Sequence, residues 1–109
     1  MMCEFQSLYY GDDGYVVRCN HCRNYQFAYL STMLTINADD FKILLDVVKR
    51  KCSEEDHSFA EHSKCVIIPT PSNGIYMLLT RNEAIHFYNL LEEADNEEKA
   101  LNLLSLFNQ

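Results

Sequence analysis

The chain has 109 residues, of which 48% are hydrophobic and 23% charged, and this size and balance fit one globular domain and exclude a disordered chain. Sixteen acidic against nine basic residues leave a formal charge of −7, which repels phosphate backbones and argues against a nucleic-acid partner. No apolar run approaches the roughly 18 residues needed to span a bilayer. The start, Met1-Met2-Cys3-Glu4-Phe5, lacks the basic and apolar regions of a secretion signal, so a cytoplasmic location is expected. Five cysteines, an odd count, then read as thiols or metal ligands rather than disulfides.

Glu4 to Tyr10 reads as a first strand. Gly11-Asp12-Asp13-Gly14 is a turn, because glycine and aspartate tolerate the positive φ of tight hairpins. Its acidic pair lacks the alternating ligands of a calcium loop. Tyr15 to Arg18 returns as a strand into Cys19-x2-Cys22. Tyr25, Phe27 and Tyr29 then alternate with Asn24, Gln26 and Ala28, the period of a half-buried strand. Aromatics on a sheet can stack nucleobases, but the acidic balance favours a core face. After a turn at Ser31-Thr32, Met33 to Ile36 forms a short further strand.

Asn37 is suited to cap a helix whose first turn holds Asp39 and Asp40. Phe41, Leu44, Leu45 and Val48 make one buried stripe, and Lys49-Arg50-Lys51 satisfies the dipole at the far end. The helix is expected to stop near Lys51 or Cys52. Ser53 to Lys64, with His57, Phe59 and His62, reads as a loop. Cys65 to Ile68 and Ile75 to Leu79 are strands joined by a turn containing Pro69, Pro71 and Asn73-Gly74. Neither strand alternates, so both faces should be covered. Two helices suffice for one face. The other needs curvature, a third helix or a second subunit.

Thr80-Arg81-Asn82-Glu83 is a capping box. The helix it opens runs through Phe87, Leu90, Leu91 and Ala94, and Asp95-Asn96 is expected to interrupt it. Glu97 to Phe107 then forms a last amphipathic helix, with Ala100, Leu101, Leu104 and Phe107 on one side. Phe41-x2-Leu44-Leu45 and Phe87-x2-Leu90-Leu91 echo each other, each after two strands. The expected fold is α+β, an antiparallel sheet of four to six strands packed by two or three helices, drawn as two ββα units sharing one sheet.

The place for chemistry is Cys19-x2-Cys22, since two thiolates spaced this way on a turn can share one metal ion. A structural zinc needs four ligands, and the best second pair is His62 and Cys65, with His21, Cys52 and His57 in reserve. A redox reading requires a helix N-terminus to lower the thiol pKa, and a strand follows Cys22 instead. Arg18, His21 and Arg23 are the nearby positive charges, otherwise solvated turn residues. Glu92-Glu93 and Glu97-Glu98 read as solvated helix faces, and His86 as a satisfied packing histidine. No phosphate loop, G-x-S-x-G or H-E-x-x-H is present.

Gly14-Tyr-Val-Val-Arg-Cys19-x2-Cys22-x2-Tyr25-Gln-Phe-Ala28, Thr32-Met-Leu-Thr35 and Asp39-Asp-Phe41 together resemble a family of small uncharacterised bacterial domains. The resemblance covers about residues 14 to 50. It implies a stand-alone cytoplasmic domain, carries over Cys19 and Cys22 as motif cysteines, and does not extend to His62 and Cys65. It implies no activity. The functional expectation is a non-enzymatic binding or assembly module that pairs with itself or a protein partner through an apolar sheet face or the last helix. A small zinc protein is the alternative, and a thiol redox protein the third reading.

Overall fold

A computed structural model describes residues 4–53, 63–64 and 66–107. Four strands form an antiparallel sheet in chain order: β1 (Phe5–Tyr10), β2 (Gly14–Cys19), β3 (Tyr25–Tyr29) and β4 (Thr32–Ile36). Helix α1 (Ala38–Ser53) follows, then a second antiparallel pair, β5 (Val66–Pro69) and β6 (Tyr76–Leu79), and helix α2 (Arg81–Phe107). The fold is α+β, as the hydrophobic periods predict. The drawing of one shared sheet gives way to two separate sheets, because four strands precede α1 and pair only among themselves.

Register decides which side chains meet the helices. Val16 lies opposite Phe27 and Arg18 opposite Tyr25, so these four share one face. On that face Tyr25 stacks on Phe41 of α1 at 4.6 Å, and Tyr29 stacks on Phe87 of α2 at 4.9 Å. Phe27 meets the same Phe87 ring tilted, at 5.5 Å. The alternating aromatics are therefore the core of the sheet, as their period and the chain's charge predict. The Tyr29 hydroxyl donates to the Glu83 carbonyl at 2.8 Å, which gives its polar tip a partner in the first turn of α2.

The turn expected at Ser31-Thr32 falls one residue earlier, at Leu30-Ser31, and the Gly11–Gly14 turn forms where expected but for a different reason. No residue of Gly11–Gly14 has a positive φ. Gly14 is needed for clearance, because a Cβ there would sit 1.9 Å from the Ala28 carbonyl oxygen across the ladder. The left-handed positions are Arg23, Leu30 and Gly74, at φ 65°, 54° and 81°. Leu8 is the extra residue of a bulge in β1, since Ser7 faces Val17 and Tyr9 faces Val16.

Both helix starts follow the capping rules. The Asp40 N–H donates to Asn37 Oδ1 at 2.8 Å. The Glu83 N–H donates to Thr80 Oγ1 at 3.1 Å, and the Thr80 N–H donates to Glu83 Oε1 at 2.9 Å, completing the capping box. The Lys64 ammonium also pairs with Glu83, and this contact and the backbone N–H hold the carboxyl below its ordinary pKa.

One expectation about the second half is corrected, and another is met on one face only. Asp95-Asn96 does not break the helix: α2 runs unbroken for 27 residues. Ala94 is fully buried there, Asp95 pairs with Lys99 at 3.0 Å, and this packing outweighs the few tenths of a kcal/mol that Asp and Asn cost in a helix. Strands β5 and β6 are covered on one face by the chain itself, while the other, expected to need curvature, a third helix or a second subunit, is open in the single chain. Ile68, Met77 and Leu79 are buried, while Ile67, Tyr76 and Leu78 on the opposite side are each more than half exposed.

Candidate functional site

The Cys19-x2-Cys22 bend lies where the sequence predicts, between β2 and β3. The Arg23 N–H returns to the Cys19 carbonyl at 3.0 Å, and the Cys19 N–H reaches the Asn24 carbonyl at 2.8 Å. Arg23 takes the left-handed conformation that closes this turn. The Cys22 N–H points back at Cys19 Sγ, at 3.4 Å. This contact ties the Cys19 sulfur to the backbone of the bend. Cys19 is buried and Cys22 exposed, so solvent reaches one sulfur of the pair.

The other two expected ligands, His62 and Cys65, lie outside the described residues, as does His57. Among the described residues no group of three or more His, Cys, Asp and Glu side chains is placed to hold a metal ion. Cys52, a reserve ligand, belongs to the last turn of α1, where burial pushes its thiol pKa up despite Arg81. No disulfide joins Cys19, Cys22 and Cys52. Cys22 leads into β3, so neither thiol stands at a helix N-terminus.

Arg18 is not a solvated turn residue and does not serve the thiols. Successive strand residues face opposite sides, so Arg18 and Cys19 point to different faces of the sheet. Arg18 is only 8% exposed, and its Nη1 lies 3.4 Å from Glu98 Oε2. The Tyr25 hydroxyl donates to the same carboxylate oxygen. Arg18 Nη2 reaches Asn20 Oδ1 at 3.5 Å, while Nε and Nη1 make no hydrogen bond. Burial, and then the hydrogen bond to Glu98, keep the Tyr25 phenol protonated far into alkali. Glu98 is thus an anchor between α2 and the sheet rather than part of a solvated face. The sequence held one signal for this cluster: Arg18 has the same strand parity as Val16, on the face that also carries Tyr25. His86 departs from expectation in the other direction, since it is exposed on α2.

Beyond Glu98 the helix leaves the sheet. Ala100 to Phe107 contains no charged residue. Of the described apolar residues there, Leu101 is partly packed on the core, and Leu103, Leu104, Leu106 and Phe107 are 56%, 58%, 65% and 78% exposed. Leu103, Leu106 and Phe107 recur at i, i+3 and i+4, with Leu104 beside them, so they make one stripe rather than scattered contacts. The outer face of β5 and β6 is a second uncharged surface, formed by Ile67, Pro69, Tyr76 and Leu78. By contrast, the open face of the larger sheet is partly polar: the Tyr15 hydroxyl donates to Gln26 at 3.0 Å, and such a face suits water. No helix among the described residues is long and apolar enough to cross a membrane.

The chain matches no curated protein and no solved structure. The resemblance drawn on residues 14 to 50 does have a counterpart over nearly the whole length. Residues 1–108 match the family described as a family of unknown function (DUF6686), and the chain belongs to that family.

Proposed function

We propose that this protein is a non-enzymatic assembly module that associates with its own kind through the uncharged end of α2. The observation that carries the reading is the exposed stripe Leu103, Leu104, Leu106 and Phe107 on a segment without a single charge. Single exposed leucines are ordinary, but four large side chains together on one helix end mark a contact surface. Covering them would contribute roughly 1–2 kcal/mol per side chain. The chemistry of the segment supports a protein partner. A helix lying on a membrane surface carries lysines and arginines on its polar face, and this end has none past Lys99. The net charge of −7 opposes nucleic acid.

Sedimentation velocity of the full chain between about 1 and 100 μM tests the reading, that span being where association worth about 5–8 kcal/mol registers. The expected result is a dimer that Leu104→Glu converts to monomer without loss of helix signal. A wild-type chain that stays monomeric throughout that range overturns it.

A second reading is favoured by the Cys22 N–H donated to Cys19 Sγ at 3.4 Å. In it, Cys19 and Cys22 form half of a structural zinc site completed by His62 and Cys65, in a reducing cytoplasmic setting. Elemental analysis of protein purified without chelator decides. One zinc per chain, lost on Cys22→Ser, supports the site. Less than about a tenth of an equivalent, with Cys22 reacting freely with a thiol reagent, removes it.

A further inference from the structure

We infer that the two uncharged surfaces cover each other: in a two-fold dimer, the α2 end of one copy lies across the outer face of β5 and β6 of the other. This rests on the self-association proposed above and specifies its geometry. Strand β6 runs directly into α2 through the Thr80 cap, so the hairpin sits at the N-terminal end of that helix. The exposed stripe sits at the other end, about 40 Å away for a helix of 27 residues, so it cannot fold back onto its own hairpin. A two-fold axis that sets two α2 helices antiparallel carries each end to the other copy's hairpin. One operation then covers both surfaces twice, as a closed isologous contact requires.

Charge and area point the same way. Strands β5 and β6 contain no charged residue, and neither does Ala100 to Phe107. Two copies, each at −7, can therefore meet there without bringing like charges into the contact. The hairpin side offers Ile67, Tyr76 and Leu78, between 51% and 61% exposed, with Pro69 beside them. At roughly 80–100 Å² of burial for each of the seven large side chains, the reciprocal arrangement covers about 1,100–1,400 Å² in total, within reach of a stable complex. Helix ends paired only with each other would cover about 640–800 Å², below the ~1,000 Å² of a specific interface.

Leu78→Lys and Leu104→Glu test the arrangement in the full-length chain, with dimer dissociation constants from sedimentation equilibrium. Both positions are exposed, and unchanged circular dichroism and Tm confirm folding. Each single variant is expected to weaken the dimer at least ~30-fold, the effect of a central contact residue. Mixing the two variants, or combining them in one chain, is expected to restore most of the affinity, because lysine then meets glutamate across the contact. If Leu104→Glu weakens the dimer and Leu78→Lys leaves it within about two-fold, a margin of ~0.4 kcal/mol, the hairpin is not the partner surface and this inference falls while the assembly reading stands. If the wild-type chain is monomeric, the assembly reading itself has failed.

Discussion

Replacing Glu98 by Gln removes one negative charge from the Arg18–Tyr25–Glu98 cluster and changes its shape hardly at all. Arg18 stays behind, 8% exposed, with two buried nitrogens already lacking hydrogen-bond partners. At 3.4 Å, and with the effective dielectric of a partly wet site, the lost attraction is about 5 kcal/mol before any relaxation. Leaving a fully buried charge unpaired costs about 3–5 kcal/mol net. The Glu98 side chain is 20% exposed, so water can partly replace it, and about 2–3 kcal/mol is expected. That is a large share of the ~5–15 kcal/mol that stabilises a domain. Arg18→Met alone should cost about 1 kcal/mol, because the Tyr25 hydroxyl still has its acceptor. Combining the two should cost little more than Arg18→Met, since no buried charge then remains, giving a coupling of about 1.5–2.5 kcal/mol. Urea unfolding of the four proteins, at constant m-value, measures this. A Glu98→Gln protein within about 0.5 kcal/mol of wild type, or singles that simply add, would refute the idea that the cluster fastens α2 to the sheet.

Gly14→Ala should cost more than about 3 kcal/mol or prevent folding, because its Cβ would overlap the Ala28 backbone at 1.9 Å; a Tm within a few degrees of wild type would contradict this. Leu30→Gly should raise stability by about 0.5–1 kcal/mol, as glycine relieves the left-handed strain at φ 54° on an exposed turn; denaturant midpoints report it. Burial pushes the Tyr29 phenol up to about 12 in the folded chain, against an ordinary value near 10. With the folded pKa raised, its contribution is complete below pH ~10 and is lost as pH rises from there towards 12, at about 1.4 kcal/mol per unit. Tyr29→Phe should flatten that part of the stability profile measured by urea unfolding.

The elements the sequence revealed best are those fixed by local rules. The two-residue period of Tyr25, Phe27 and Tyr29, the Thr80–Glu83 reciprocity and the Asn37 cap each involve neighbours only, and each forms as read. The bend of Cys19 and Cys22 was legible for the same reason. What local rules missed depends on contacts between distant segments. Asp95-Asn96 looks like a stop until Ala94 is seen packed beneath it and Lys99 beside it. The continuous apolar run of β6 looks doubly covered, although the single chain buries Met77 and Leu79 and leaves Tyr76 and Leu78 open. Glu98 could not be told from Glu97 by spacing, because its partner Arg18 is on a strand at the far end of the chain.

Among the described residues, Glu98 is also the last place where a polar group fastens α2 to another element. The two turns beyond it are held, among the described residues, by their own backbone bonds and the partial packing of Leu101. Short helical stretches without tertiary support are marginal in water, so these turns fray readily while they are uncovered. Any partner that seats on them must first still that fraying. Its binding will therefore carry an ordering penalty and a negative heat-capacity change, and slower amide exchange at Leu103 to Phe107 will mark the moment it arrives.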